Sequence, residues 1–170
     1  MKNILIVIDM QNDFIDGTLG TKEAVAIVPN VIKKIAEYRA RGDEIIFTAD
    51  THFDDYLSTN EGKHLPIMHC IKGTDGWKIS NRLDVGNSKV IEKPTFGYLE
   101  WKNVIEDVDG LCIELVGLCT DICVVSNALI LKATFPSATI KVDSTCCAGV
   151  TPASHSSALT TMQTCQIEVK

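Results

Sequence analysis

Residues 3–9 read Asn-Ile-Leu-Ile-Val-Ile-Asp, an apolar and largely β-branched run that ends abruptly at the carboxylate of Asp9. Runs of this kind are typical of strands that are buried on both faces of a parallel sheet. Five further runs share this character. The sequence therefore predicts six strands, over residues 3–8, 44–49, 88–92, 111–116, 139–142 and 166–169.

Helical patterns lie between these runs. In the clearest of them, apolar residues recur at helical spacing, namely Val31, Ile32, Ile35 and Tyr38. Pro29 suits the first turn of that helix and Gly42 its end, and two more helices are predicted over residues 121–134 and 153–164. Because strands and helices alternate, we expect an α/β fold, a Rossmann-like three-layer αβα sandwich with a six-stranded, mainly parallel sheet. A length of 170 residues suits one domain over residues 1–170.

Charge and composition exclude several classes of function. Sixteen Lys and Arg against 22 Asp and Glu leave a net charge of −6, so nucleic acid is not an expected partner. The first apolar run is far too short for a signal-peptide core or a membrane span, so we expect a cytoplasmic protein without membrane association. Seven cysteines, an odd number without zinc-ribbon spacing, disfavour a disulfide scaffold. We expect most of these cysteines to be buried in the core and one to be chemically reactive.

Chemically active side chains follow several predicted strands. Asp9 ends the first run, Lys93 follows the third, and segment 119–123 follows the fourth. Because the carboxyl ends of parallel strands meet at one edge of the sheet, we expect these groups to lie together. Cys123 lies at the predicted start of a helix, where the helix dipole and Lys93 are expected to lower its pKa. Asp9 could then take the thiol proton and pass it to a leaving amine, which indicates acyl transfer to water.

Each of these residues, taken singly, also fits a structural role. Asp9 could cap a turn, Lys93 could end a strand in solvent, and Cys123 could be a buried helix residue. Their shared place at one sheet edge favours the catalytic interpretation. Cys119 and Cys123 have CxxxC spacing, which differs from the CxxC of redox pairs, so redox chemistry is a minor alternative.

A second group of side chains indicates a metal site. Asp50 and His52 lie two apart on an extended segment and so face the same way, and His69 follows in the long loop after the second strand. One carboxylate and two imidazoles suit Zn²⁺ or a similar divalent transition metal, with positions left open for water or substrate. Glu61 and His64 are further candidate donors. Alternatively, Asp50 and His52 only hydrogen-bond the local backbone.

The sequence resembles the isochorismatase-like cysteine hydrolases, and within them the nicotinamidase branch, in five places that span almost the whole chain. They are Ile8-Asp9-Met10-Gln11-Asn12-Asp13-Phe14, Asp50-Thr51-His52, Pro66-Ile67-Met68-His69-Cys70, Lys93, and Gly117-Leu118-Cys119-Thr120-Asp121-Ile122-Cys123-Val124. The resemblance implies a catalytic triad of Asp9, Lys93 and Cys123, in which Cys123 carries an acyl group. It also implies a cis peptide before Cys119, whose N–H and that of Cys123 form an oxyanion hole, and contact of Phe14 with the substrate.

The resemblance further implies a metal-assisted amidase. Asp50, His52 and His69 would hold the ion, which orients the pyridine nitrogen of nicotinamide for hydrolysis to nicotinic acid and ammonia. The isochorismatases themselves lack this metal site. Family members often form homo-oligomers, so we expect one here.

One position departs from the family pattern. Pro66 stands where many nicotinamidases have a tryptophan that stacks on the pyridine ring, and Trp77 or Phe96 could replace it. A changed wall could equally suit a different small amide. A second enzyme hypothesis is a metal-independent cysteine hydrolase that acts on another small amide or ester. A catalytically silent α/β binding domain is the alternative from a different class.

Overall fold

The computed structural model describes residues 2–170, and its centre is a six-stranded parallel sheet. The strands are Lys2–Ile8 (β1), Glu44–Asp50 (β2), Lys89–Lys93 (β3), Leu111–Leu118 (β4), Thr139–Ala148 (β5) and Glu168–Val169 (β6). They lie in the order β3-β2-β1-β4-β5-β6, and every neighbouring pair is parallel. The six predicted strands are confirmed.

Strand bounds differ from the prediction by one or two residues in most strands, and the largest difference is in β5. β5 was expected over residues 139–142 but continues to Ala148, because extra residues in β5 shift its register against β4 after Val142, and Cys147 and Ala148 then pair again with Gly117 and Leu118. Residues 143–146 of β5 are mostly polar, so the apolar pattern that predicts this strand ends at Val142. β6 was expected over residues 166–169 but starts only at Glu168, because Gln166 has a positive φ that strands do not have, and it pairs with β5 through Glu168 and Val169.

Five α-helices lie among residues 2–170. They are Asn12–Ile15 (α1), Lys22–Arg41 (α2), Asn60–His64 (α3), Val125–Thr134 (α4) and Pro152–Thr164 (α5). The expected start of α2 at Pro29 is wrong, because Thr21 caps the helix by accepting a hydrogen bond from the Ala24 N–H. Pro29 therefore lies inside the helix, where burial of a continuous apolar face outweighs one missing hydrogen bond. Gly42 ends α2 in the left-handed conformation, as predicted.

The helices cover both faces of the sheet. Alternate residues of β1 point to opposite sides: Leu5 and Val7 pack with α2, whereas Ile4 and Ile6 pack with α4 and α5. All four side chains are completely buried. The expected three-layer αβα sandwich is thus confirmed. Among residues 2–170, no helix is long and apolar enough to cross a membrane.

The strand order reverses direction between β1 and β4. In open parallel sheets, ligands bind outside the carboxyl ends of the strands at such a switch point. The segment 51–88, which follows β2, holds one 3₁₀ turn at Tyr56–Ser58 and the short α3. His52 forms an isolated bridge with Ile71, which folds this segment back beside the end of β2.

Candidate active site

Asp9, Lys93 and Cys123 meet at the switch point. The ammonium Nζ of Lys93 lies 2.6 Å from Asp9 Oδ2 and donates to Cys123 Sγ at 3.5 Å. Asp9 and Lys93 are fully buried and Cys123 is 4% exposed. The backbone of Asp9 has a φ of 45°, an uncommon conformation for a residue other than glycine. The structure thus brings together the three residues that the sequence singled out.

Burial dominates the electrostatics of this group. It raises the pKa of Asp9, and the nearby Lys93 offsets this only in part. Burial would lower the pKa of Lys93, but the charges of Asp9, Cys123 and Asp50 outweigh it and hold the pKa above its ordinary value. Burial and the charge of Asp9 raise the pKa of Cys123 well above that of a free thiol. The expected low pKa of Cys123 is therefore wrong, because desolvation exceeds the effect of Lys93.

The nucleophile turn, residues 117–124, begins with a close contact between two strands. Gly117 has a φ of 118°, and a Cβ at this position would collide with the Ile8 carbonyl oxygen. The peptide between Leu118 and Cys119 is cis, as the resemblance implies. Residues Thr120–Val124 form one turn of π-helix that leads into α4, and such turns occur frequently at functional sites.

Four side chains with metal-ligating atoms converge beside this group: Asp50, His52, Glu61 and His69. Their ligand atoms lie within 4.8 Å of one another. His52 Nε2 is 2.9 Å from Asp50 Oδ2 and 3.5 Å from Glu61 Oε1, and His69 Nε2 is 3.8 Å from each of these oxygens. Tetrahedral zinc with bonds of about 2.0–2.1 Å needs ligand separations of about 3.3 Å. The four donors therefore fit a divalent transition metal.

Neighbouring groups orient these donors. His69 Nδ1 hydrogen-bonds the Ile67 carbonyl at 2.8 Å, which leaves Nε2 facing the cluster. The buried Gln11 side chain accepts from the Asp50 N–H at 2.7 Å and donates to the Asp50 carbonyl at 2.8 Å. Burial raises the pKa of Asp50, but the bond from His52 and the charge of Lys93 outweigh it and lower that pKa below its ordinary value. Asp50 is thus held as a carboxylate.

The two further candidate donors behave differently. Glu61 joins the cluster from α3, whereas His64, one turn later, does not. His64 lines the neighbouring cavity, and its Nδ1 hydrogen-bonds the Asn60 carbonyl at 2.8 Å. The sequence alone does not show which of Glu61 and His64 is a ligand, because the direction of each side chain depends on where the short helix packs.

A cavity of about 860 Å³ joins the two groups. Cys119 and Cys123 border it on one side and the four metal-ligating residues on another. Its apolar wall includes Phe14, Phe96, Leu118, Ile122 and Val150. Among residues 2–170, the cavity lining contains no Lys or Arg side chain. Trp77, one of the two candidate replacements for the missing tryptophan, is not part of this lining and donates its Nε1–H to Thr51 Oγ1 at 2.9 Å.

Two buried polar residues that sequence reasoning missed contact the site. Thr48 donates to Asp9 Oδ1 at 2.6 Å and accepts from the Asp9 N–H at 3.2 Å. Asn127 donates to the Cys123 carbonyl at 2.8 Å. Each has a weak signal in the sequence: Thr48 lies two residues before Asp50 on the same strand face, and Asn127 lies four residues after Cys123.

A family model, the isochorismatase domain, matches residues 3–169 of this sequence. The chain belongs to the isochorismatase family. An uncharacterized isochorismatase family protein of Bacillus subtilis, PncA, is 31% identical over 144 residues, covering 76% of this chain and 78% of that protein.

A second relative and one solved structure are similar to this chain over almost its whole length. The nicotinamidase/pyrazinamidase of Mycobacterium tuberculosis is 28% identical over 182 aligned positions, covering 97% of this chain and 96% of that protein. The crystal structure of a Pyrococcus horikoshii pyrazinamidase in complex with zinc superposes with a TM-score of 0.84 at 24% identity, covering 100% of this chain and 99% of that one. The isochorismatase family and the similarity to the Mycobacterium tuberculosis protein identify the chain as an amidohydrolase and support its resemblance to the nicotinamidase branch, whereas the Pyrococcus horikoshii structure shows the shared fold.

Proposed function

We propose that this amidohydrolase converts nicotinamide, or a close heteroaromatic amide, into the carboxylic acid and ammonia through a thioester on Cys123. One observation carries the proposal. Cys123, which contacts the buried Asp9–Lys93 pair through Lys93 Nζ, lines the same cavity as a cluster of four metal-ligating side chains. Core packing alone does not require such an arrangement.

The proposed reaction begins with proton transfer to Asp9. Because burial keeps the proton on Cys123, the neighbouring Asp9 carboxylate removes it as Sγ attacks the carbonyl carbon of the amide. The N–H groups of Cys119 and Cys123 donate to the developing oxyanion. Asp9 then gives the proton to the departing nitrogen, and ammonia leaves. Water attacks the thioester, with Asp9 again as the base, and releases the acid and the free thiol.

Lys93 stabilises the charges that change during these steps. Its Nζ contacts both Asp9 and Cys123, so it stays close to whichever of them is anionic. A third contact, to the Thr95 carbonyl at 3.1 Å, fixes the position of the ammonium group. We therefore assign Lys93 an electrostatic role rather than proton transfer, because its raised pKa keeps it charged.

The residues proposed to hold a zinc ion, or a similar divalent ion, are Asp50, His52, Glu61 and His69. A metal bound there would supply a Lewis acid that orients the ring nitrogen of the substrate. Phe14 lies beside His69, with 5.6 Å between the ring centroids, and Phe96 lines the cavity. We propose that these two aromatic side chains contact the faces of the heteroaromatic ring.

The lining of the cavity also bears on the charge of the substrate. An amide that carries a carboxylate needs a cationic partner when it enters a closed site. No Arg or Lys side chain lines the described cavity, Lys93 is already paired with Asp9, and the divalent ion proposed above is assigned to the ring nitrogen. A neutral amide is therefore the favoured substrate.

The test is to measure acid formation by chelator-stripped and zinc-reconstituted protein, with nicotinamide and with a carboxylate-bearing amide as substrates. We expect zinc-dependent hydrolysis of nicotinamide alone. Equal rates with and without metal would instead favour a metal-independent cysteine hydrolase. Hydrolysis of the anionic amide alone would overturn the substrate assignment.

A further inference from the structure

One buried side chain joins the nucleophile turn to the loop that carries Phe96. Asn127 Nδ2 donates to the Cys123 carbonyl at 2.8 Å and to the Phe96 carbonyl at 3.0 Å. Its Oδ1 accepts from the Tyr98 N–H at 3.0 Å and from Trp101 Nε1–H at 3.2 Å. Because an amide side chain offers two donors and two acceptor lone pairs, these bonds use all of its capacity.

Because Asn127 is buried, its hydrogen bonds fix the position of the loop that carries Phe96. Asn127 is fully buried, so an unmade hydrogen bond at any of the four partners would leave a polar group without water. The loop also lies directly on α4, because a Cβ at Gly97 would collide with Ile130. Tyr98 and Trp101 pack edge to face with 5.1 Å between ring centroids. The loop is thus fixed to the helix that begins at the nucleophile turn.

Both carbonyls that Asn127 bonds belong to residues that face the cavity. Cys123 contributes the thiol, and Phe96, 40% exposed, contributes an aromatic wall. One donor group, Nδ2, therefore sets the position of the attacking atom relative to a surface against which a substrate ring would lie. Misplacement of reacting groups by about 1 Å can lower a rate about 100-fold.

We propose that Asn127 is a positioning residue that fixes the separation between Cys123 and Phe96. The part that concerns the substrate ring rests on the proposed function. The part that concerns Cys123 does not, because the orientation of the thiol is a property of the free protein.

The experiment compares Asn127→Asp with Trp101→Phe. Asp keeps the size of the side chain and an acceptor for Tyr98 and Trp101, but even when protonated it offers one donor in place of two, so it cannot hold both cavity-facing residues. Trp101→Phe removes the bond from Trp101 Nε1 and part of a buried ring but leaves both bonds donated by Asn127 Nδ2, so it is the control for a merely structural effect. Asn127→Ser, which is too short to bridge both carbonyls, replaces Asn127→Asp if that variant does not fold.

Two readouts are measured for the folded fraction of each variant. With nicotinamide, we expect the Asn127 variant to lower kcat by about 10- to 100-fold and to raise KM, whereas Trp101→Phe stays within about twofold of the unmodified protein. Without substrate, the rate of Cys123 alkylation by iodoacetamide, measured by peptide mass spectrometry against the exposed Cys165, should change in the Asn127 variant alone.

The two readouts separate the two proposals. If the unmodified protein does not hydrolyse nicotinamide, the proposed function fails, and the alkylation rates still decide the role of Asn127. Kinetic constants and Cys123 alkylation rates that match those of Trp101→Phe would overturn the positioning role.

Discussion

Replacement of Lys93 by Met should destabilise the fold strongly. Lys93 is fully buried, with Nζ 2.6 Å from Asp9 and 3.6 Å from Asp50. The substitution keeps most of the side-chain volume but leaves the buried Asp9 carboxylate without its cation, and Asp50 keeps only its contacts with the histidines. Removal of one partner from a buried ion pair costs about 3–5 kcal/mol. For a chain of this size, each kcal/mol lowers Tm by about 2–4 °C, so we expect a fall of about 6–20 °C.

The sign of the pH dependence follows from the same charges. Lys93 lowers the pKa of both Asp9 and Asp50, so its loss raises both values in the folded state. A carboxyl group whose folded pKa is raised destabilises the fold while it is ionised, and this penalty is relieved as the pH falls through the raised value. The stability difference between Lys93→Met and the unmodified protein should therefore shrink as the pH is lowered from neutral.

Urea unfolding of metal-free protein, followed by circular dichroism, measures this effect. The double variant Asp9→Asn with Lys93→Met is the control, since it removes both charges of the closest pair. It should be more stable than the sum of the two single changes predicts, because neighbouring charges couple. A loss below about 1 kcal/mol for Lys93→Met, or strict additivity in the double variant, would refute the argument that this pair is ionised and buried.

Three further predictions follow from individual contacts. Thr48→Val removes the hydrogen-bond donor to Asp9 and so raises the pKa of that carboxyl, which should move the acid limb of the kcat/KM profile to higher pH. Thr48→Ser keeps the donor and should leave the limb in place. Identical pH profiles for Thr48→Val and the unmodified protein would contradict this role of Thr48. Glu61→Gln should weaken zinc binding about tenfold or more in a chelator competition, and unchanged affinity would remove Glu61 from the proposed ligand set. Burial raises the pKa of Asp143, but the hydrogen bonds from Lys34 and Thr145 outweigh burial and lower that pKa below its ordinary value of 3.8. The ionised Asp143 therefore stabilises the fold above pH 3.8, and this stabilisation is lost as the pH falls through the lowered pKa. Acidification should therefore destabilise the unmodified protein more than Asp143→Asn in urea unfolding, and parallel losses would contradict the ion pair.

The strand pattern predicts the sheet because each buried strand must be apolar on both faces. The same pattern predicts which residues meet at the sheet edge, since Asp9 and Lys93 occupy equivalent places at the ends of parallel strands. The start of α2 was missed because Pro29 is a strong local signal, whereas the cap at Thr21 depends on packing of the helix face.

Long-range features of the site were not available from the sequence. The raised pKa of Cys123 comes from burial by distant segments, whereas the sequence shows only the helix start and the nearby lysine. The contribution of Glu61 depends on how α3 docks against the end of β2. Asn127 contacts residues up to 31 positions away, and no local pattern encodes such a network.

The most direct test of the central claim is ammonia release from nicotinamide by zinc-supplemented protein, measured beside Cys123→Ala with its fold checked by circular dichroism. If Cys123 forms the thioester, the unmodified protein releases ammonia and nicotinic acid in equal amounts, and Cys123→Ala releases neither above the blank. Turnover by Cys123→Ala at the rate of the unmodified protein would contradict the thioester mechanism.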